Sequence, residues 1–170
     1  CFNIMKLFAK IFATAALFIS CAFGASAQLP SVQLKDLSGK PVDTATLSND
    51  GKPFIISFWA TWCKPCRREL NAIKEVYPDW QDETGVKLYA VSVDKAQDVT
   101  KVKPVVDASS WEYEVLLDPN GDFQRAMGAA NVPHVVVVDG NGKIVESHSG
   151  YTEGSEDHLF EIIRELVNKK

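Results

Sequence analysis

The segment that most restricts this chain is an apolar run, Phe54-Ile55-Ile56-Ser57-Phe58-Trp59, leading in four residues to Cys63-Lys64-Pro65-Cys66. A nearly unbroken apolar run of this length reads as a central strand covered on both faces. Beyond it, Leu70, Ile73, Val76, Tyr77 and Trp80 recur at helical spacing, which predicts a helix from Lys64 to about Trp80. Val86–Val93 is the next strand and ends at Asp94. Strand, helix, strand is a βαβ unit, and its crossover is expected to be right-handed.

Two cysteines separated by two residues at a helix start lie on one face of the first turn. Their Cα atoms then fall in the ~4.4–6.8 Å window that a disulfide needs. Cys63 is expected at the helix N-terminus, where unpaired N–H groups and the helix dipole favour thiolate over thiol. Lys64, Arg67 and Arg68 add positive charge to the same turn. Cys66 lies one turn deeper, so Cys63 reads as the attacking sulfur and Cys66 as the one that resolves a mixed disulfide. Pro65 fits the first turn, where its missing N–H costs nothing, and stiffens the link between the sulfurs.

The N-terminus limits how many cysteines compete with this pair. Lys6 and Lys10 precede an apolar stretch, Ile11–Phe23, and Ala25-Ser26-Ala27 supplies small residues for cleavage before Gln28. That is a secretory signal pattern, with Cys1 to Ile4 ahead of the natural start read at Met5. The apolar core is shorter than the ~20 residues a membrane span requires. A competing reading takes Phe18-Ile19-Ser20-Cys21 as a lipoprotein site, with Cys21 lipidated and anchored to the membrane. Residues 28–170 are then read as one domain, long enough for one core.

Cleavage removes Lys6 and Lys10, so 18 basic residues become 16 against 22 acidic ones and the net charge moves from −4 to −6. No basic block remains as a nucleic-acid footprint. Of four cysteines only Cys63 and Cys66 stay with the domain. In an oxidising compartment a structural bridge normally closes a long loop, and one spanning two residues stabilises little. A zinc half-site is the other reading, but His134, His148 and His158 lack the spacing of a partner motif and no further cysteine is present. No metal and no bound cofactor are expected.

Further along, Leu34–Leu37 and Pro41-Val42 flank Ser38-Gly39-Lys40 as a small hairpin. Asp98–Ser109 reads as helix, Val115–Leu117 as a short strand and Phe123–Met127 as one or two helical turns. His134–Val138 is a β-branched strand, Asp139-Gly140-Asn141-Gly142 a turn, and Lys143–Ser149 the returning strand. Leu159, Phe160, Ile162, Ile163, Leu166 and Val167 form the apolar face of a last helix, with Ser155 as its expected cap.

The stretch Phe58-Trp59-Ala60-Thr61-Trp62-Cys63-Lys64-Pro65-Cys66-Arg67-Arg68-Glu69-Leu70 resembles the active-site segment of the thioredoxin superfamily, and most of all its exported TlpA/ResA-like branch. The resemblance extends over residues 29–170. It implies a thioredoxin-like three-layer α/β fold: a mixed central sheet with helices on both faces, an N-terminal β-hairpin and a central insertion near 98–127. It implies a periplasmic thiol–disulfide oxidoreductase that exchanges disulfides with protein substrates, as a monomer serving redox homeostasis. Lys-Pro between the cysteines is similar to the reductase end of the superfamily, and a membrane thiol carrier is then the implied electron donor.

By the same resemblance Pro133 is a cis-proline facing the disulfide, with Val132 offering its backbone to a substrate strand. Glu69 matches an acidic residue held near the sulfurs, as a proton carrier; the alternative is a solvated carboxylate paired with Arg67 or Arg68. Trp62 is read as an apolar contact for partner proteins and Trp59 as core. Three departures stand out. Ser57 occupies the place of a buried aspartate, Asn71 that of a helix-kinking proline, and His134 that of a threonine, where it is either structural or a proton donor. Two rival functions fit the motif less well. A redoxin-type thiol peroxidase needs a proline that Trp59-Ala60-Thr61-Trp62 lacks. A copper metallochaperone or redox-inert binding module uses a Cys-x-x-x-Cys, one residue longer than this pair.

Overall fold

The computed structural model describes residues 29–169; the expected signal segment and Cys21 lie outside them. Seven strands form one mixed sheet: β1 (Gln33–Asp36), β2 (Pro41–Asp43), β3 (Phe54–Trp59), β4 (Lys87–Ser92), β5 (Glu114–Leu117), β6 (His134–Val138) and β7 (Ile144–Ser149). Four helices accompany them: α1 (Lys64–Thr84), α2 (Val102–Ser109), α3 (Asp122–Ala126) and α4 (Ser155–Asn168). The spatial order is β2-β1-β5-β4-β3-β6-β7. β3, β4 and β5 run parallel, whereas β6 pairs with β3 antiparallel and β7 with β6 antiparallel.

Alternation along the strands sorts side chains into two cores. On one face Ile55, Trp59, Leu88, Ala90, Val135 and Val137 meet Cys66, Leu70 and Ile73 of α1, Val102 and Val106 of α2, and Leu159 and Ile163 of α4. On the other, Phe54, Ile56, Phe58, Tyr89, Val91, Val136 and Val138 meet Phe123 of α3 and the N-terminal residues Leu29, Leu34 and Leu47. The three-layer arrangement therefore holds, but its second layer is thin: one five-residue helix and an extended segment do the covering.

Several boundaries differ from the sequence reading, each for a local reason. α1 passes Trp80, accommodates Pro78 and ends at Thr84, because Gly85 takes the left-handed conformation (φ 67°) and its N–H donates to Gln81 O. The 98–109 stretch opens as a 3₁₀ turn, Val99–Lys101, before α2 begins. Ser155 does not cap α4: the cap position is Gly154, and the Ser155 hydroxyl donates to Thr152 O at 2.6 Å. The β6–β7 turn is organised by Asp139, whose Oδ1 accepts the N–H groups of Asn141 and Lys143 at 2.8 and 2.9 Å.

Candidate active site

β3 is an interior strand, between β4 and β6, and its C-terminal end launches the site. Its ladders reach Trp59 opposite Ser92 on one side and Phe58 opposite His134 on the other. The chain then turns sharply, with the Cys63 N–H donating to Ala60 O at 3.0 Å. Thr61, at the tip, is tied to Asp94 just beyond β4. Its N–H donates to Asp94 Oδ2 at 2.9 Å and its hydroxyl to Oδ1 at 2.6 Å. Asp94 is wholly buried, and Ser92 Oγ donates to it as well, at 2.9 Å. Three donors compensate the buried carboxylate. The sequence reading missed this latch, which joins residues 33 positions apart.

Cys63 is the N-cap of α1, and its Sγ accepts the Cys66 N–H at 3.3 Å. The two sulfurs form a disulfide with S–S 1.95 Å and Cα–Cα 5.4 Å. Cys63 retains 4% exposure and Cys66 none, so an incoming group has a surface to meet only at Cys63. Trp62 stands 67% exposed beside it, Lys64, Arg67 and Arg68 are exposed, and Pro65 is half-buried within the first turn.

Glu69 is one turn beyond Cys66 on the inward stripe that continues through Leu70 and Ile73, and only 3% of it is exposed. Desolvation pushes its carboxyl up to about 8; the Ser57 hydroxyl, donating weakly to Oε2 at 3.5 Å, opposes the shift, and the charge of Glu156 adds to it. The solvated-pair alternative for Glu69 is overturned: the carboxyl is buried, and among the described residues neither Arg67 nor Arg68 pairs with it, Arg68 facing Glu153 at 3.8 Å. Ser57, in the position expected of a buried acid, is thus the neighbour of one.

Val132–Pro133 is a cis peptide, as the resemblance implied. Pro133 is buried where β6 begins, at the end of the sheet from which the Cys63 turn rises, and its carbonyl accepts the Gly150 N–H at 2.9 Å. Val132 packs on the core that holds both cysteines, while its own N–H and C=O have no hydrogen-bond partner among the described residues.

His134 is a correction to the donor reading. Strand alternation turns it to the opposite face, against Phe58. Its ring nitrogens lie 2.7 Å from Ser149 Oγ and 3.0 Å from Ser147 Oγ, and burial holds its pKa below the usual imidazole value. Asn71 also has a definite use: its Oδ1 accepts Trp111 Nε1–H at 2.8 Å, while Tyr113 OH donates to Leu70 O at 2.8 Å. Trp111 in turn meets Trp59 edge-on at 4.9 Å, so the segment before β5 braces α1 against the sheet. Among the described residues no three His, Cys, Asp or Glu side chains gather as a metal site.

A sheet of this order, with a disulfide across the first turn of the helix behind an interior strand, is the architecture of thioredoxin-like thiol–disulfide oxidoreductases. Known proteins agree. A thioredoxin-like protein of Porphyromonas gingivalis is 63% identical, superposes with a TM-score of 0.76, and is matched over 84% of this chain and 94% of its own. A Chlorobium tepidum protein described as a thiol:disulfide interchange protein DsbE shares the fold, with TM-score 0.72 at 24% identity over 82% and 95% of the two chains. Among curated proteins, the thiol–disulfide oxidoreductase ResA of Bacillus anthracis is 32% identical over 140 residues, 82% of this chain and 77% of that one. Residues 25–147 match the AhpC/TSA family, and the chain belongs to that family as a ResA-like thiol–disulfide oxidoreductase.

Proposed function

We propose that the protein works outside the cytoplasm as a reductant of protein disulfides, with Cys63 as nucleophile and Cys66 as resolving thiol. The observation that carries this assignment of roles is the unequal exposure of two sulfurs on one helical turn, with the Cys66 N–H aimed at Cys63 Sγ. The Cys63 thiolate attacks a substrate disulfide, forming a mixed disulfide and releasing one substrate thiolate. Cys66 then attacks Cys63 Sγ, releasing the second thiol and closing the Cys63–Cys66 bridge. Two electrons and two protons pass to the substrate. Two electrons from a dithiol carrier in the membrane restore the reduced pair.

Glu69 is the proton carrier in this reading. Burial holds its carboxyl protonated up to about 8, one helical turn beyond Cys66, so at neutral pH it carries a proton that it can give up and take back. Val132, with its free amide and carbonyl beside Pro133, pairs with the substrate backbone as an added strand. Trp62 and the Lys64-Pro65 turn contact the substrate's surface. The chain acts as a monomer, one domain over 28–170 behind a cleaved signal at 1–27.

Reduction of insulin with dithiothreitol as electron source tests the activity. It should proceed with the wild type and stop in Cys63→Ser, while Cys66→Ser accumulates a mixed disulfide. The Cys63–Cys66 potential tests direction: about −270 mV fits a reductant and about −120 mV an oxidant. Mass spectrometry of the mature N-terminus tests export, since Gln28 supports cleavage and a diacylated Cys21 replaces it with a lipid anchor.

A further inference from the structure

We infer that the rim of the disulfide selects substrates carrying acidic residues next to their own cysteines; this rests on the reductive reading and adds the substrate's charge to it. Lys64, Arg67, Arg68 and Asn71 follow one another at helical spacing, so they share one face of α1, and together they line a shallow groove of about 310 Å³. All three cations are exposed. Arg68 has only the long contact to Glu153, itself 84% exposed, and neither Lys64 nor Arg67 has an ion-pair partner among the described residues.

This clustering runs against the composition of the whole chain, in which acids outnumber bases 22 to 18. Glu69 is buried, and two charged carboxylates lie nearby: Glu153 at 3.8 Å from Arg68, and Glu156, whose Oε2 accepts from Tyr151 OH and Gly154 N–H at 3.2 Å; neither forms an ion pair with Lys64 or Arg67. The positive end of the 21-residue α1 dipole adds to the same field. The same cations sit at the turn that favours a Cys63 thiolate; being solvated and on an outer helical row, they also face whatever approaches Cys63. The exposed Trp62 supplies an apolar contact at the same helix start. An occupant combining carboxylates with a disulfide fits this rim; a basic one is repelled by it.

Three disulfide-linked peptides, identical except for Glu, Ser or Lys on each side of the cysteines, provide the test with the full reduced protein. Rim charge acts mainly on association rate and is screened by salt. At low ionic strength the Glu peptide should be reduced about tenfold faster than the Lys peptide, and the ratio should fall to about twofold at ~0.5 M salt. Lys64→Glu with Arg67→Glu should invert the order. Lys40→Glu with Lys143→Glu makes the same change in net charge at the opposite end of the sheet and should leave the order intact.

Equal rates for the three peptides with the wild type overturn the inference. So does a Lys64→Glu/Arg67→Glu protein that slows all three alike, since the cations would then act on the Cys63 thiolate alone. So does a distal double variant that inverts the order, which would make net charge the cause. A wild type that reduces none of the peptides instead overturns the reductive reading beneath it.

Discussion

Replacing Glu69 by Gln should change how the stability of the oxidised protein depends on pH. The carboxyl is 3% exposed and titrates near 8, against 4.5 for the free group. Between those values the folded protein keeps a proton that the unfolded chain has lost, so stability falls as pH rises. Each pH unit costs about 1.4 kcal/mol, and the full window costs on the order of 5 kcal/mol. The stabilising contribution is complete below 4.5 and gone above 8. His134 and His148, whose pKa values burial lowers, tilt the curve the other way at mildly acidic pH, but they do so equally in both proteins. The quantity to measure is therefore the stability of wild type minus that of Glu69→Gln, by urea unfolding at intervals from pH 4 to 9 with the disulfide intact. Any constant offset from the new amide cancels in the slope. The difference should decline at about 1.4 kcal/mol per unit and level off beyond pH 8. Parallel curves across the range would refute a buried, proton-holding Glu69 and remove it from the proton chemistry of Cys66.

Three other substitutions probe the frame around the site. Leu70→Ala empties a fully buried position of α1 and should cost about 2–5 kcal/mol in chemical denaturation. Gly140→Ala would set a Cβ 2.0 Å from the Gly51 carbonyl oxygen, backbone against backbone; a loss of roughly 1–3 kcal/mol, seen as a lower Tm, is expected. Asp94→Ala strands the Thr61 N–H, the Thr61 hydroxyl and the Ser92 hydroxyl without their acceptor. It should cost roughly 1–3 kcal/mol and, because Thr61 holds the turn that presents Cys63, also slow alkylation of reduced Cys63. Stability loss with unchanged alkylation would leave Asp94 a purely structural role.

What sequence could show followed the strength of local patterns. The Phe54–Trp59 run and the helix-spaced stripe after Cys63 identified β3 and the start of α1, because burial on both sides of a strand and on one side of a helix leaves plain periodicities. The sequence left Glu69 open between a carboxyl near the sulfurs and a solvated one paired with Arg67 or Arg68; its place beside Cys66, Leu70 and Ile73 on the inward stripe is what buries it. The end of α1 was harder: apolar spacing stops at Trp80, and the helix continues until a glycine can adopt positive φ. His134 could have been turned to its proper face by counting strand parity from Phe58. The Asp94–Thr61 latch and the Asn71–Trp111 contact join residues 33 and 40 positions apart, and no local pattern reports such pairings.

The N-terminal hairpin has a consequence for how this protein meets unfolded chains. Without it β5 would be the open end of the sheet, a row of unpaired amides and carbonyls ready to template a passing strand. With β1 laid along β5, that end is β2, three residues long and beginning with Pro41, which has no N–H to give. The far end, β7, is broken by a bulge opposite Val137/Val138 and carries Glu146. Both flanks thus discourage sheet-to-sheet growth, a guard against aggregation. A substrate strand pairing with Val132, as proposed above, then meets little competition from the two outer edges of the sheet.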